Sequence, residues 1–197
     1  MHYYKLTGGV LYEDVAEELI NEVEEGLHNS LPITFDSGLS GIGWGLDYLI
    51  RKNFVEGDSK DICEEIDSKI MQTDPRRMTD YSLNKGIGGV LLYVLDHCKI
   101  VMEQCNKMPF DNCYLGDLHA ACMKLRFLKD IPKETVWLAD IYVAFYLGKD
   151  PIPNEIWDIA KFAQGVPDLD KRRLSDYPLG FHNGLAGMLF EKCYTKA

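Results

Sequence analysis

The chain has 197 residues, 46% of them hydrophobic, and a formal net charge of −10. This composition fits one globular domain spanning residues 1–197 and excludes a disordered chain. The acidity argues against nucleic acid or an anionic membrane surface as a partner, because phosphates require a basic face. Residues 10–28 then read as an amphipathic helix: Leu11, Val15, Leu19, Val23 and Leu27 recur every four residues while a row of glutamates covers the other face. Proline and glycine mark residues 29–40 as a loop. Gly38-Leu39-Ser40-Gly41-Ile42-Gly43 follows it and opens an apolar helix over roughly 41–52.

Gly57 and Asp58 mark a break and a helix cap. Residues 59–72 form a second outer helix with Ile62, Ile66 and Ile70 on one face, and Thr73-Asp74-Pro75 stops it. A loop over 76–85 leads to Lys85-Gly86-Ile87-Gly88-Gly89, which opens a helix running to Met102 or beyond. Asp111 is placed to cap the next outer helix, whose apolar stripe is Leu115, Leu118, Cys122, Leu125 and Leu128. Pro132 suits the first turn of the following helix and Gly148 its C-terminal stop. That helix is apolar nearly all round, so burial is expected. A short outer helix over 153–164, a polar loop and Asn183-Gly184-Leu185-Ala186-Gly187, opening a last helix over 184–194, complete the chain.

The pattern is eight helices, charged-amphipathic alternating with apolar, and no strand pattern. The apolar helices begin near 41, 86, 133 and 184, a period of about 45–50 residues. Four helical hairpins in tandem predict an all-α fold, an α/α toroid or solenoid of outer helices wrapped around inner ones.

The N-terminal Met1-His2-Tyr3-Tyr4-Lys5 has no basic run followed by an apolar stretch, and no segment approaches the roughly 20 apolar residues of a membrane span. A cytoplasmic location is the expectation. None of the six cysteines forms a C-x-x-C pair, so they are expected to stay reduced and pack as small hydrophobes.

The three glycine motifs, at Gly38 to Gly43, Lys85 to Gly89 and Asn183 to Gly187, resemble those of the lanthionine synthetase C-like family, spanning roughly residues 10–194. The resemblance implies an α/α toroid whose inner helices start at such motifs. It implies a role in biosynthesis or modification of a peptide natural product. Family members have seven hairpins; about four here imply half of such a ring, with open apolar edges covered by a second copy or another protein. The family's cyclases hold zinc with two cysteines and a histidine, one pair being Cys-His-Gly at an inner-helix start. The matching stretch here is His182-Asn183-Gly184, with histidine in place of cysteine and asparagine in place of histidine. A zinc cyclase site is therefore not expected, nor any other cofactor, and a peptide or protein partner is.

His182 and Asn183 are candidate ligand-binding residues at the start of the last helix; Asn183 also serves as a helix cap. Asp36, Asp80 and Asp176 each lie in a loop leading to a glycine motif. As a pair of carboxylates they would suit a carbohydrate-active α/α enzyme; as single residues they suit loop hydrogen bonding. A structural helical-repeat interaction protein is the third reading. His97 and Cys98 would be a metal pair by residue type, but adjacent positions on a helix point to different faces; His119 is read as structural. Trp137, Tyr142, Phe145 and Tyr146 read as core, or as the lining of a sugar or peptide groove.

Overall fold

A computed structural model describes residues 8–10, 14, 18, 20, 21, 31–154 and 156. Five α-helices have defined bounds: α1 (Leu39–Arg51), α2 (Ser59–Met71), α3 (Ile87–Cys105), α4 (Asn112–Leu125) and α5 (Lys133–Tyr146), with a 3-10 turn at Pro75–Arg77 between α2 and α3. No strand occurs among the described residues. The expected last helix lies outside them. The expected helices over 10–28 and 153–164 are described only at scattered positions, of which 10, 14, 18, 20 and 21 are helical.

Caps set the helix ends. Asp58 accepts a hydrogen bond from the Lys60 amide (2.9 Å), Asp111 one from the Tyr114 amide (2.7 Å) and Asp74 one from the Arg76 amide (3.0 Å). Pro132 stands just before α5 rather than inside its first turn. All three inner helices stop on a left-handed residue. Asn53 follows α1, Asn106 follows α3 and Gly148 follows α5, with φ of 52°, 54° and 64°. At Asn53 and Gly148 the next amides reach back to Leu49 and Ala144, which satisfies carbonyls that a helix end would otherwise leave orphaned.

The glycine motifs use a different device. Gly38 and Gly86 precede α1 and α3 in extended conformation with no side-chain cap. Instead the preceding loop folds back, and the Leu39 amide donates to Pro32 O while the Ile87 amide donates to Asp80 O. Each glycine fits because a Cβ would strike that loop. Added atoms would fall 2.1 Å from Pro32 O at Gly38, 1.9 Å from Phe35 O at Gly41, 2.2 Å from Asp80 O at Gly86 and 2.2 Å from Leu83 O at Gly89. Corresponding residues in the two loops (Pro32 and Asp80, Phe35 and Leu83, Gly38 and Gly86) are all 48 positions apart. The repeat is thus structural as well as sequential, and α1 begins at Leu39, two residues before its expected start, because the cap is Gly38.

Side by side, the two loops join through Phe35 and Asp36 amides that both donate to Asn84 O (2.9 and 3.0 Å). Helices α1, α3 and α5 form an inner row with α3 in the middle. Helix α2 packs on α1 and α3, and α4 packs on α5 and the 3-10 turn. Every residue of α3 from Ile87 to Cys98 is buried, which explains its apolar sequence.

Helix α5 corrects an expectation. Tyr142 and Leu138 are fully buried, but Trp137 is 39% and Tyr146 42% exposed. Only the faces toward α3 and α4 are covered by the described helices. Leu128, expected on the stripe of α4, falls beyond the helix end and is exposed. No described helix is long and apolar enough to cross a membrane.

Candidate functional site

Two features stand out, a buried polar cluster and an open apolar groove. The cluster begins with helix periodicity. On α2, Ser59, Cys63, Ile66, Asp67 and Ile70 are the buried positions, so an aspartate lies on the apolar stripe. On α1, Asp47 shares the buried face with Gly43, Trp44 and Ile50. On α3, Tyr93 and His97 are one turn apart.

These side chains meet where the three helices touch. His97 Nδ1 lies 2.9 Å from Asp47 Oδ2, and His97 Nε2 lies 3.0 Å from Asp67 Oδ2. Tyr93 donates its hydroxyl to Asp67 Oδ1 at 2.7 Å. Ser59 donates to Asp47 Oδ1, and Cys63 Sγ lies 4.0 Å from the same oxygen. The imidazole stacks on Tyr93 (centroids 5.2 Å apart) and meets the edge of Phe110 (5.9 Å). Asp47, His97 and Cys63 are wholly buried and Asp67 nearly so.

The electrostatics follow from that crowding. Burial alone pushes the His97 pKa down, but hydrogen bonds and charge from Asp47 and Asp67 outweigh it and hold the ring up at about 10. Burial raises Asp67, although bonds from His97 and Tyr93 work against it. Both shifts keep a proton inside the pair. Burial, with the charges of Asp47 and Asp67 adding to it, pushes the Cys63 thiol far up. A second buried carboxylate, Asp96 on α3, takes two bonds of 2.7 Å from one nitrogen of Arg51.

The groove lies where α3 begins, between the 3-10 turn and the end of α4. It has a volume of about 350 Å³ and is lined by Met78, Tyr81, Ile87, Leu125, Phe127 and Leu128, with Arg76 and Lys124 at its polar side. Phe127 is 85% exposed. Arg76 also pairs with Asp74 and Asp117 at 2.8 Å each. A second groove of about 530 Å³, lined by Met102, Met108, Leu115, Phe145 and Tyr146 among others, lies toward the C-terminal ends of α3 and α5.

Of the residues singled out in the sequence, Asp36 is half-buried and accepts from the Ser37 hydroxyl at 2.9 Å. Asp80 is exposed and accepts from the Ser82 amide at 2.8 Å, a backbone bond that lowers its pKa. The 48-residue register aligns Asp36 with Asn84 and Asp80 with Pro32, so the two aspartates hold different places in the repeat. His182, Asn183 and Asp176 lie outside the described residues. Tyr142 donates to Leu115 O (2.8 Å) inside the core; Phe145 and Tyr146 line the second groove. His119 stacks on Tyr146 with centroids 4.6 Å apart.

Sequence reasoning missed Asp47 and Asp67 and set His97 aside. The available signal was an acidic residue at helical spacing from buried aliphatics. Compared with known proteins, the chain matches no family model, no curated protein and no solved structure.

Proposed function

We propose that the chain is a lanthionine synthetase C-like helical-hairpin protein that binds a peptide during the biosynthesis or modification of a peptide natural product. The carrying observation is the groove at the start of α3. Its walls are apolar, its most prominent side chain, Phe127, is 85% exposed, and its polar side carries Lys124 beside Arg76, which is paired with Asp74 and Asp117. An exposed aromatic beside a concave apolar surface is a binding feature more than a folding one, because leaving it in water forgoes the burial that stabilises a core. Two further observations support the reading. The groove opens beside a glycine-capped helix start, where the resemblance places the family's working face, and the 48-residue structural repeat extends that resemblance beyond short motifs. The occupant best suited to it is an extended or helical peptide with apolar anchors and at least one acidic residue near Lys124.

Fluorescence anisotropy with labelled synthetic peptides from precursors encoded beside the gene tests this reading. Phe127→Ser is expected to weaken binding of the best peptide at least tenfold, while Phe145→Ser, in the second groove, leaves it unchanged. Binding that is indifferent to Phe127, or lost only with Phe145→Ser, overturns it.

A further inference from the structure

The buried cluster brings together three side chains of metal-ligating type from three helices. Asp47 belongs to α1, Cys63 to α2 and His97 to α3, and one donor atom of each lies within 4.8 Å of the others. We propose that Asp47, Cys63 and His97 form a binding site for a divalent metal ion of the zinc type, buried and structural, outside the stretch where the family resemblance places zinc ligands.

Distances support the assignment. Tetrahedral zinc with bonds of about 2.0–2.3 Å places its ligand atoms roughly 3.3–3.6 Å apart. The observed separations are of that order: 2.9 Å from His97 Nδ1 to Asp47 Oδ2, and 4.0 Å from Cys63 Sγ to the other carboxylate oxygen, Oδ1. Convergence on an ion requires the three donor atoms, which lie within 4.8 Å of one another, to draw together around it. The donor set selects the metal. One imidazole nitrogen, one sulfur and one carboxylate suit zinc or cobalt and disfavour magnesium and calcium, which take oxygen.

Surrounding groups match what such a site needs. A ligating histidine almost always donates its other N–H to a carboxylate that fixes the ring. Here His97 Nε2 faces Asp67 at 3.0 Å, and Tyr93 anchors Asp67 in turn. That leaves Nδ1 as the ligating atom. The hydroxyl of Ser59, bonded to Asp47, is a further oxygen at the cluster. Coordination displaces two protons to solvent, the one Nδ1 shares with Asp47 and the thiol proton of Cys63. The ion then takes over the charge that the imidazolium supplies between the two carboxylates.

Cobalt and zinc titrations of the full chain test the site. One equivalent of Co²⁺ is expected to give a thiolate-to-cobalt charge-transfer band in the near ultraviolet, and excess Zn²⁺ to erase it. Cys63→Ser is expected to abolish the band, whereas Cys122→Ser, buried on α4, keeps it. Asp67→Asn, which leaves all three ligands in place and changes the group that orients His97, is expected to keep the band but weaken binding about 10–100-fold. If Cys63→Ser proves unfolded by circular dichroism, retention of the band in Cys122→Ser and its blockage by Zn²⁺ are read together with the affinity of Asp67→Asn. No band in the wild type, a band that survives Cys63→Ser, or an affinity unmoved by Asp67→Asn overturns the proposal.

Discussion

Between α1, α2 and α3 a polar network is set inside apolar packing; between α4 and α5 the buried contacts are almost wholly apolar. The first region encloses Asp47, Ser59, Asp67 and His97, joined by hydrogen bonds, and Asp96, which pairs with Arg51. The second packs Leu115, Leu118, Cys122, Leu125, Leu138 and Val143, with the Tyr142 hydroxyl as its buried polar contact and an exposed Arg126–Asp140 pair at its edge. Apolar packing tolerates small slips in register at modest cost, whereas buried charges tolerate almost none. The polar network therefore fixes how the first hairpin sits on the next inner helix, and the apolar interface supplies burial with less specification.

The difference can be broken from the polar side first. His97→Leu leaves two buried carboxylates facing one another without a bridge, and urea denaturation is expected to show a loss of about 3–5 kcal/mol. Next comes the shared glycine device. Gly41→Ala drives a Cβ into Phe35 O, backbone that can yield only by moving the loop, and is expected to cost about 1–3 kcal/mol. Gly45→Ala, on the same helix with open space around it, is expected to stabilise by up to about 1 kcal/mol. On the apolar side, Tyr142→Phe removes the bond to Leu115 O, and its expected cost is about 1 kcal/mol in the same assay. Smallest is Asp140→Ala. Its partner Arg126 is 44% exposed, and thermal melts are expected to register a change of about 0.5 kcal/mol or less.

How far the sequence foretold this structure differs between the same two regions. The caps Asp58 and Asp111, the stop at Thr73-Asp74-Pro75 and the turn at Gly148 were legible because each rests on local backbone chemistry. The hairpin period was legible too, since Gly38, Gly41, Gly86 and Gly89 are needed for close backbone approach and no other residue fits. The polar cluster was not. Asp67 sits in Glu64-Glu65-Ile66-Asp67, where a run of acids reads as a solvated face, and only its spacing from Cys63 and Ile70 reveals the inward turn. His97 was passed over because it was weighed only against its neighbour Cys98, which points to a different helix face, whereas its partners are 50 and 30 residues away on other helices. Tertiary pairing of this kind leaves no mark at short range. The exposure of Trp137 was hidden for the opposite reason, since an apolar sequence does not say which of its faces a neighbour will cover.

Peptide binding at the start of α3 is the central claim. A ¹⁵N–¹H correlation spectrum of the full chain, titrated with the tightest-binding precursor peptide, tests it most directly. The account predicts shifts concentrated at Met78, Tyr81, Ile87, Leu125, Phe127 and Leu128, with Met108 and Gly148 unmoved. Shifts centred on Met108, Tyr146 and Gly148, with Phe127 still, would contradict it.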